Sequence, residues 1–397
     1  MNSLCRACGK NKLFEFLHLG DMPSAGGFLK NLKNIDCEEL YPLPIHVCKN
    51  CCLIQVIKPI DAESLFKDYS FASSTVTPLI NHFEKFSDWL IERFNPEKLL
   101  EFGCNDGILL QPLEKKGVTA IGIDISHNIT SLAREKGLKV ETGFFDIENA
   151  EKIVKKYGLF DIISGSNSFA HNEKPSTILN AAKLCLKDDG VLVLEFMYAG
   201  DLIEKLQWDT LYHEHLTFYS LFTIKLLLEN NGFFVFDAEK ITMHGGSIRL
   251  SASMNKRPTT ESFNNLISEE FDKKINDFNT WINFGNNIKN KIDIVNKTLY
   301  EIGRNKKIWA YGAAGKATMW LNACNLNYVE AIIDESPLRA GKFMPGTHTP
   351  ILFPSELKKN PPDYIFITAW NYADIIKKKE SWYKGIWITP LPELKFF

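Results

Sequence analysis

Residues 208–220 read WDTLYHEHLTFYS and gather two histidines, a glutamate and two tyrosines into one short run. Imidazole, carboxyl and phenol groups are the side chains that hold and move protons at a reacting centre, so the run suits general acid–base work. In an extended backbone His213 and His215 would share one face, with Tyr212 and Glu214 on the other. A metal site fits less well, because H-x-H lacks the helical spacing of H-E-x-x-H and no third ligand stands nearby. Ser220 suits the N-cap of the helical run LFTIKLLLENNG, which leaves the proton-handling residues on a loop.

Cysteines form a second cluster. Cys5 and Cys8 make one C-x-x-C, and Cys48 and Cys51 make another. Each short knuckle can deliver two thiolates to a tetrahedral ion, so together they predict a closed, structural zinc site. The interval between them exceeds the roughly 15–20 residues of a zinc ribbon, which predicts a small subdomain with turns at PSAGGF and YPLP.

The elements that must position these groups are those of a multidomain α/β chain. Its 397 residues are 45% apolar and 24% charged, with a formal net charge of -2. Interspersed charge argues against a nucleic-acid partner. No apolar run reaches the roughly 20 residues of a membrane span, and MNSLCRACGK has no apolar signal core, so a cytoplasmic location without membrane contact is expected. KLLEFGCNDG then reads as a strand ending in a glycine turn, ILLQPLEKKG as a helix, and VTAIGIDIS as a second strand ending at Asp124. An acid at that spacing can accept hydrogen bonds from both ribose hydroxyls of a nucleoside cofactor. The turn itself is Glu101-x-Gly103-x-x-x-Gly107, which is not the G-x-G-x-x-G that seats a pyrophosphate.

Further strands follow in GLFDIISGSNSFAH, in LKDDGVLVLEFMY after a turn at 188–190, and in FFVFDAEKI. The succession resembles the class I methyltransferase core, and that resemblance implies S-adenosylmethionine as cofactor. On it, Glu101, Gly103, Asn105 and Gly107 line the methionine side, Asp124 holds the ribose, Asp146 lies near the adenine, and Asn167 and Ser168 border the methyl donor.

Taken with the knuckles and the EFGCNDG loop, YHEH, HGGSIR at 244–249, YGAAGKATMWLNAC and PGTHTPI resemble the sugar C-methyltransferases of deoxysugar biosynthesis across nearly the whole chain. The resemblance implies zinc-binding residues 1–68, a central class I methyltransferase domain over 69–255, and a helical connector with a C-terminal Rossmann-like domain over 256–397. It also implies a nucleotide-linked 4-keto sugar as substrate. Enolate chemistry beside the ketone would use His215 as base and Glu214 to tune it, with Tyr212, Tyr69 and His171 positioning the ketone. His244, Gly245, Arg249 and Lys316 are the expected substrate contacts, and Met197 stands where the family commonly has proline. The C-terminal glycine turn is not a P-loop, since Ala stands at both 310 and 317. Competing readings are an O- or N-methyltransferase, or an oxidoreductase with a nicotinamide at that turn.

Overall fold

The computed structural model describes residues 3–57, 60–66 and 69–397. The expected boundary at residue 68 falls outside the described residues. Three sheets organise the described residues.

The first sheet begins with β1 (Leu13–Pro23), β2 (Leu40–Cys48) and β3 (Ile54–Val56), antiparallel throughout. Its ladder pairs Leu13 with Cys48, which brings the knuckle preceding β1 against the knuckle at the end of β2. All four Sγ atoms lie within 4.8 Å of one another, with Cys5 to Cys51 and Cys8 to Cys48 each at 3.6 Å. Zinc–sulfur bonds of 2.3 Å give tetrahedral edges of about 3.8 Å, so the donor set fits the ion. PSAGGF does turn, with Gly27 N–H donating to Ser24 O. YPLP does not: Pro42 and Pro44 lie inside β2, paired with Asp21 and His18. β3 reaches only Ile45 to Val47 of β2, so the prolines occupy a stretch with one free edge where no ladder donor is missed.

The central sheet uses β4 (Lys98–Phe102), β5 (Thr119–Asp124), β6 (Lys139–Thr142), β7 (Phe160–Ser166) and β8 (Leu186–Met197), all parallel. The turn expected at 188–190 is instead a bulge within β8, where the pairing jumps from Phe160–Leu186 to Ile162–Val191. Next in sequence, β9 (Thr217–Phe218) leaves this sheet and pairs with β3 of the first. β10 (Phe234–Ile241) and β11 (Ser247–Ser253) complete the centre in the order β10-β11-β8-β7-β4-β5-β6, with β11 antiparallel to both neighbours. Alternation along the strands feeds two cores: Leu100, Ile121 and Leu192 join the knuckle cysteines on one face, and Leu99, Ala120 and Val193 join the helix Thr77–Phe94 on the other.

The polar stretch expected as a connector forms two helices. Glu261–Asp272 packs Phe263 and Leu266 into the central core, and Phe278–Gly303 packs Trp281 and Phe284 against the first sheet. The third sheet follows with β12 (Ile308–Tyr311), β13 (Ile332–Ile333), β14 (Ile351–Leu352), β15 (Tyr364–Ile367), β16 (Ile386–Thr389) and β17 (Lys395–Phe396). They stand in the order β14-β13-β12-β15-β16-β17, parallel except for the last. Its inner face shares one apolar cluster with the first sheet and with Trp208 and Leu211. Among the described residues no helix is long and apolar enough to cross a membrane.

Because the knuckle cysteines sit in the central core, removing the ion should cost more than the first sheet. A strong chelator is expected to release about one zinc per chain and to lower the melting temperature of the whole protein. Metal content read alongside calorimetry tests this, and an unchanged transition would show the cluster to be energetically idle.

Candidate active site

The open ends of β4, β5, β7 and β8 meet residues from the C-terminal sheet around a cavity of about 400 Å³. One side is the glycine turn after β4. Gly103 has φ +63°, and a Cβ there would stand 2.4 Å from Ser168 Cβ, so both backbone freedom and close approach demand glycine. Ser168 in turn donates to Phe102 O at 3.1 Å. Asp124 closes β5 and accepts from Asn105 N–H and Ser126 N–H, each at 2.9 Å, which leaves acceptor capacity on both oxygens. Asn105 also holds the segment above it, accepting from Ser73 N–H and donating to Phe71 O. Gly103, Asn105, Asp124, Asn167 and Ser168 all line the cavity.

Three expected cofactor contacts do not. Glu101 is buried beneath the turn, Gly107 faces Leu138, and Asp146 caps the helix Ile147–Tyr157 by accepting from Asn149 N–H at 2.9 Å. Phe144 and Phe145 line the cavity in place of Asp146, with Phe145 stacked on Phe102 at 5.3 Å between centroids.

The proton-handling residues close the other side. Residues 212–214 form a turn rather than an extended run, with His215 N–H donating to Tyr212 O at 3.0 Å. This separates the histidines that an extended chain would align. His213 is 1% exposed, packs on Tyr41 and hydrogen-bonds Pro42 O, away from the cavity. His215 faces the cavity with Tyr212, Glu214, His171 and Tyr69. Its ring lies 4.1 Å from that of Tyr212 and 4.9 Å, edge-on, from that of His171. Nδ1 is 2.8 Å from Thr210 O, and since a carbonyl only accepts, the proton sits on Nδ1 and Nε2 keeps its lone pair.

Burial sets the charges. It drives His215 well below the usual imidazole range, helped by the neighbouring His171, and pushes His171 and His244 down to about 4. The same desolvation raises the Glu214 carboxyl to about 7, against hydrogen bonds from Gly26 N–H and the Tyr69 phenol.

His244 and Lys316 line the cavity, whereas Gly245 and Arg249 do not. Gly245 spends its carbonyl on Lys205 and Gln207. Arg249 is consumed by an ion pair with Glu195, at 2.7 Å from Nε and 2.6 Å from Nη2, so it holds β8 to β11 instead of meeting a ligand. Two contributors were not anticipated. Arg339 reaches the cavity from the loop after β13, tethered to Asp334 at 2.9 Å. Asp209 is fully buried, and one of its oxygens accepts from the indoles of Trp320 at 2.9 Å and Trp370 at 2.7 Å. Tyr212 meets the C-terminal domain as well, since a Cβ at Gly315 would stand 2.9 Å from its ring.

Three family signatures match in order: a "Putative zinc binding domain" over residues 5–66, a methyltransferase domain over 78–237, and a C-methyltransferase C-terminal domain over 242–392. The C-methyltransferase NovU of Streptomyces niveus is 30% identical over 98% of this chain and 95% of its own length. The chain belongs to the C-methyltransferase family. As a C-methyltransferase it depends on S-adenosylmethionine, and the cavity residues from Gly103 to Ser168 lie in its methyltransferase match. The ubiquinone biosynthesis O-methyltransferase of Bartonella bacilliformis is 29% identical over only 24% of this chain and 40% of its own. The crystal structure of magnesium protoporphyrin IX methyltransferase from Synechocystis PCC 6803, solved with S-adenosylmethionine bound, covers 44% of this chain and 78% of its own. Its identity is 18% and its TM-score 0.34.

Two expectations arise from this C-methyltransferase's site. Between about pH 4.5 and 7 folded Glu214 keeps a proton that the unfolded chain has released, so its contribution to stability falls as pH rises. Glu214→Gln should therefore stabilise the protein at pH 8, by no more than about 3 kcal/mol, and leave it unaffected near pH 4. Urea titrations at both values measure the difference, and an equal change at each would contradict it. Asp209→Asn should keep affinity for S-adenosylhomocysteine but cut turnover about tenfold or more, through loss of a charge-assisted clamp on the 208–216 loop. Calorimetry and methyl transfer read the two arms.

Proposed function

We propose that the chain methylates the carbon alpha to the ketone of a nucleotide-linked 4-keto sugar. The observation that carries this reading is His215 in the cavity lining, its tautomer fixed by the Thr210 carbonyl so that Nε2 keeps its lone pair. Carbon is a poor nucleophile, so C-methylation beside a ketone begins with removal of the alpha proton. His215 is neutral and free to take it. S-adenosylmethionine, when bound by Gly103, Asn105 and Asp124, supplies the electrophilic methyl group.

Charge moving onto the ketone oxygen needs donors, and the Tyr212, Tyr69 and His171 side chains stand around the same space. Glu214, near its titration point at neutral pH, can hold or release a proton beside Tyr69. A diphosphate would find two cations from the C-terminal domain, Lys316 and Arg339. Lys316 Nζ is shielded from solvent with no hydrogen-bond partner among the described residues, and lies 4.4 Å from the Trp370 ring centroid. Lys316 is the second residue of the helix Gly315–Ala323, whose cap residue Ala314 makes no side-chain hydrogen bond; Ala317 N–H turns back to the Ala314 carbonyl, which leaves the Gly315 and Lys316 amides to meet an anion. Negative charge there would also raise the depressed histidine pKa values toward the range of an effective base.

The test compares a 4-keto sugar nucleotide with its 4-reduced form. Turnover of the ketone alone is expected, and equal turnover would discard the enolate route. His215→Asn should abolish proton exchange at the alpha carbon, a loss of about 10²- to 10⁴-fold, while S-adenosylhomocysteine affinity is retained. Exchange that survives would move the base to Glu214 or His171.

A further inference from the structure

The zinc knuckle touches the catalytic loop through one side chain. Arg6 stands between Cys5 and Cys8, and its guanidinium spans three backbone carbonyls from distant segments. Nη1 donates to Val56 O at 2.7 Å and Leu216 O at 3.0 Å, and Nε donates to Glu173 O at 3.1 Å. Leu216 follows His215, and Glu173 lies two residues beyond His171. The two segments are joined directly as well, since Leu216 N–H donates to Ala170 O at 3.0 Å. Their histidine rings meet 4.9 Å apart. A planar fork of donors suits this task, whereas an ammonium could satisfy only part of it.

The knuckle determines where the fork stands. Both cysteines flanking Arg6 belong to the four-sulfur cluster, so a bound ion would pin the short arc that carries it. Without that anchor the arc is free to shift, and the Leu216 and Glu173 carbonyls lose a donor. We propose that Arg6 is a positioning residue for the His171–His215 pair, and that the metal site thereby controls proton abstraction as well as stability. The cofactor cradle at 101–107 makes no hydrogen bond to Arg6 and should be untouched. This inference rests on the proposed role of His215, but its first readout needs no substrate.

The experiment uses the full chain with Arg6→Ala and Arg6→Lys. Zinc content and S-adenosylhomocysteine affinity should match the wild type. Amide hydrogen exchange should quicken across 170–173 and 213–217 while 101–107 stays unchanged. On a 4-keto sugar nucleotide kcat should fall about tenfold to a hundredfold, the scale of a small misplacement of reacting groups, with KM for S-adenosylmethionine held. Guanidinium ion added to Arg6→Ala should restore part of kcat, and Arg6→Lys should fall between the two. Unchanged exchange in both segments would overturn the proposal. So would loss of zinc and cofactor binding together with activity, which would make Arg6 a folding residue only. If Arg6→Ala does not fold, Arg6→Lys carries the same exchange comparison. A wild type inactive on every keto sugar would defeat the substrate reading while the exchange result still decided the role of Arg6.

Discussion

The segment from Trp208 to Leu216 is almost wholly buried yet has no extended secondary structure of its own, and that constraint organises the molecule. A buried irregular chain must find partners for its polar groups elsewhere. Here they come from every part of the protein. The C-terminal sheet's domain supplies indoles to Asp209, the central domain supplies the Ala170 carbonyl to Leu216 N–H, and the first sheet supplies Val56 N–H to Leu216 O. Each part also adds apolar surface, and Trp208 packs edge-on against Trp320 at 4.6 Å. The proton-handling residues are thus held on a loop with the rigidity of a core.

That same burial governs the chemistry. Removing water keeps His171, His215 and His244 neutral and holds Glu214 near its midpoint, because a low-dielectric site penalises whichever form is charged. On the side facing the C-terminal domain Lys316, with no hydrogen-bond partner for its Nζ among the described residues, rests on Trp370. A neutral imidazole beside a buried cation is an arrangement in which an anionic ligand would change the electrostatics of the whole site at once.

Much of this was legible before any coordinates. The apolar runs of β4, β5 and β8, the acid closing β5, the paired knuckles and the Ser220 cap are local signals, and the structure keeps each of them. What could not be read depends on partners far away. His213 parts from His215 because the chain turns at 212–214, and its ring then meets Pro42 of β2. The Asp209 clamp joins residues 111 and 161 positions apart, and Arg249 looked like a ligand contact until Glu195 met it across β8 and β11. YPLP carried turn residues but lay where β2 pairs with β1 alone and its other edge is free. Spacing reports local geometry; it is silent on which distant side chain arrives.

The pairing of β9 with β3 also bears on biogenesis. On a ribosome the first sheet emerges early, but its fourth strand, Thr217–Phe218, is synthesised only after most of the central sheet. Until then β3 presents an open edge, a ready template for pairing with another nascent chain. Translation therefore has to deliver the central half promptly, and the amino-terminal lobe reaches its finished state as a late event of assembly instead of an autonomous first one.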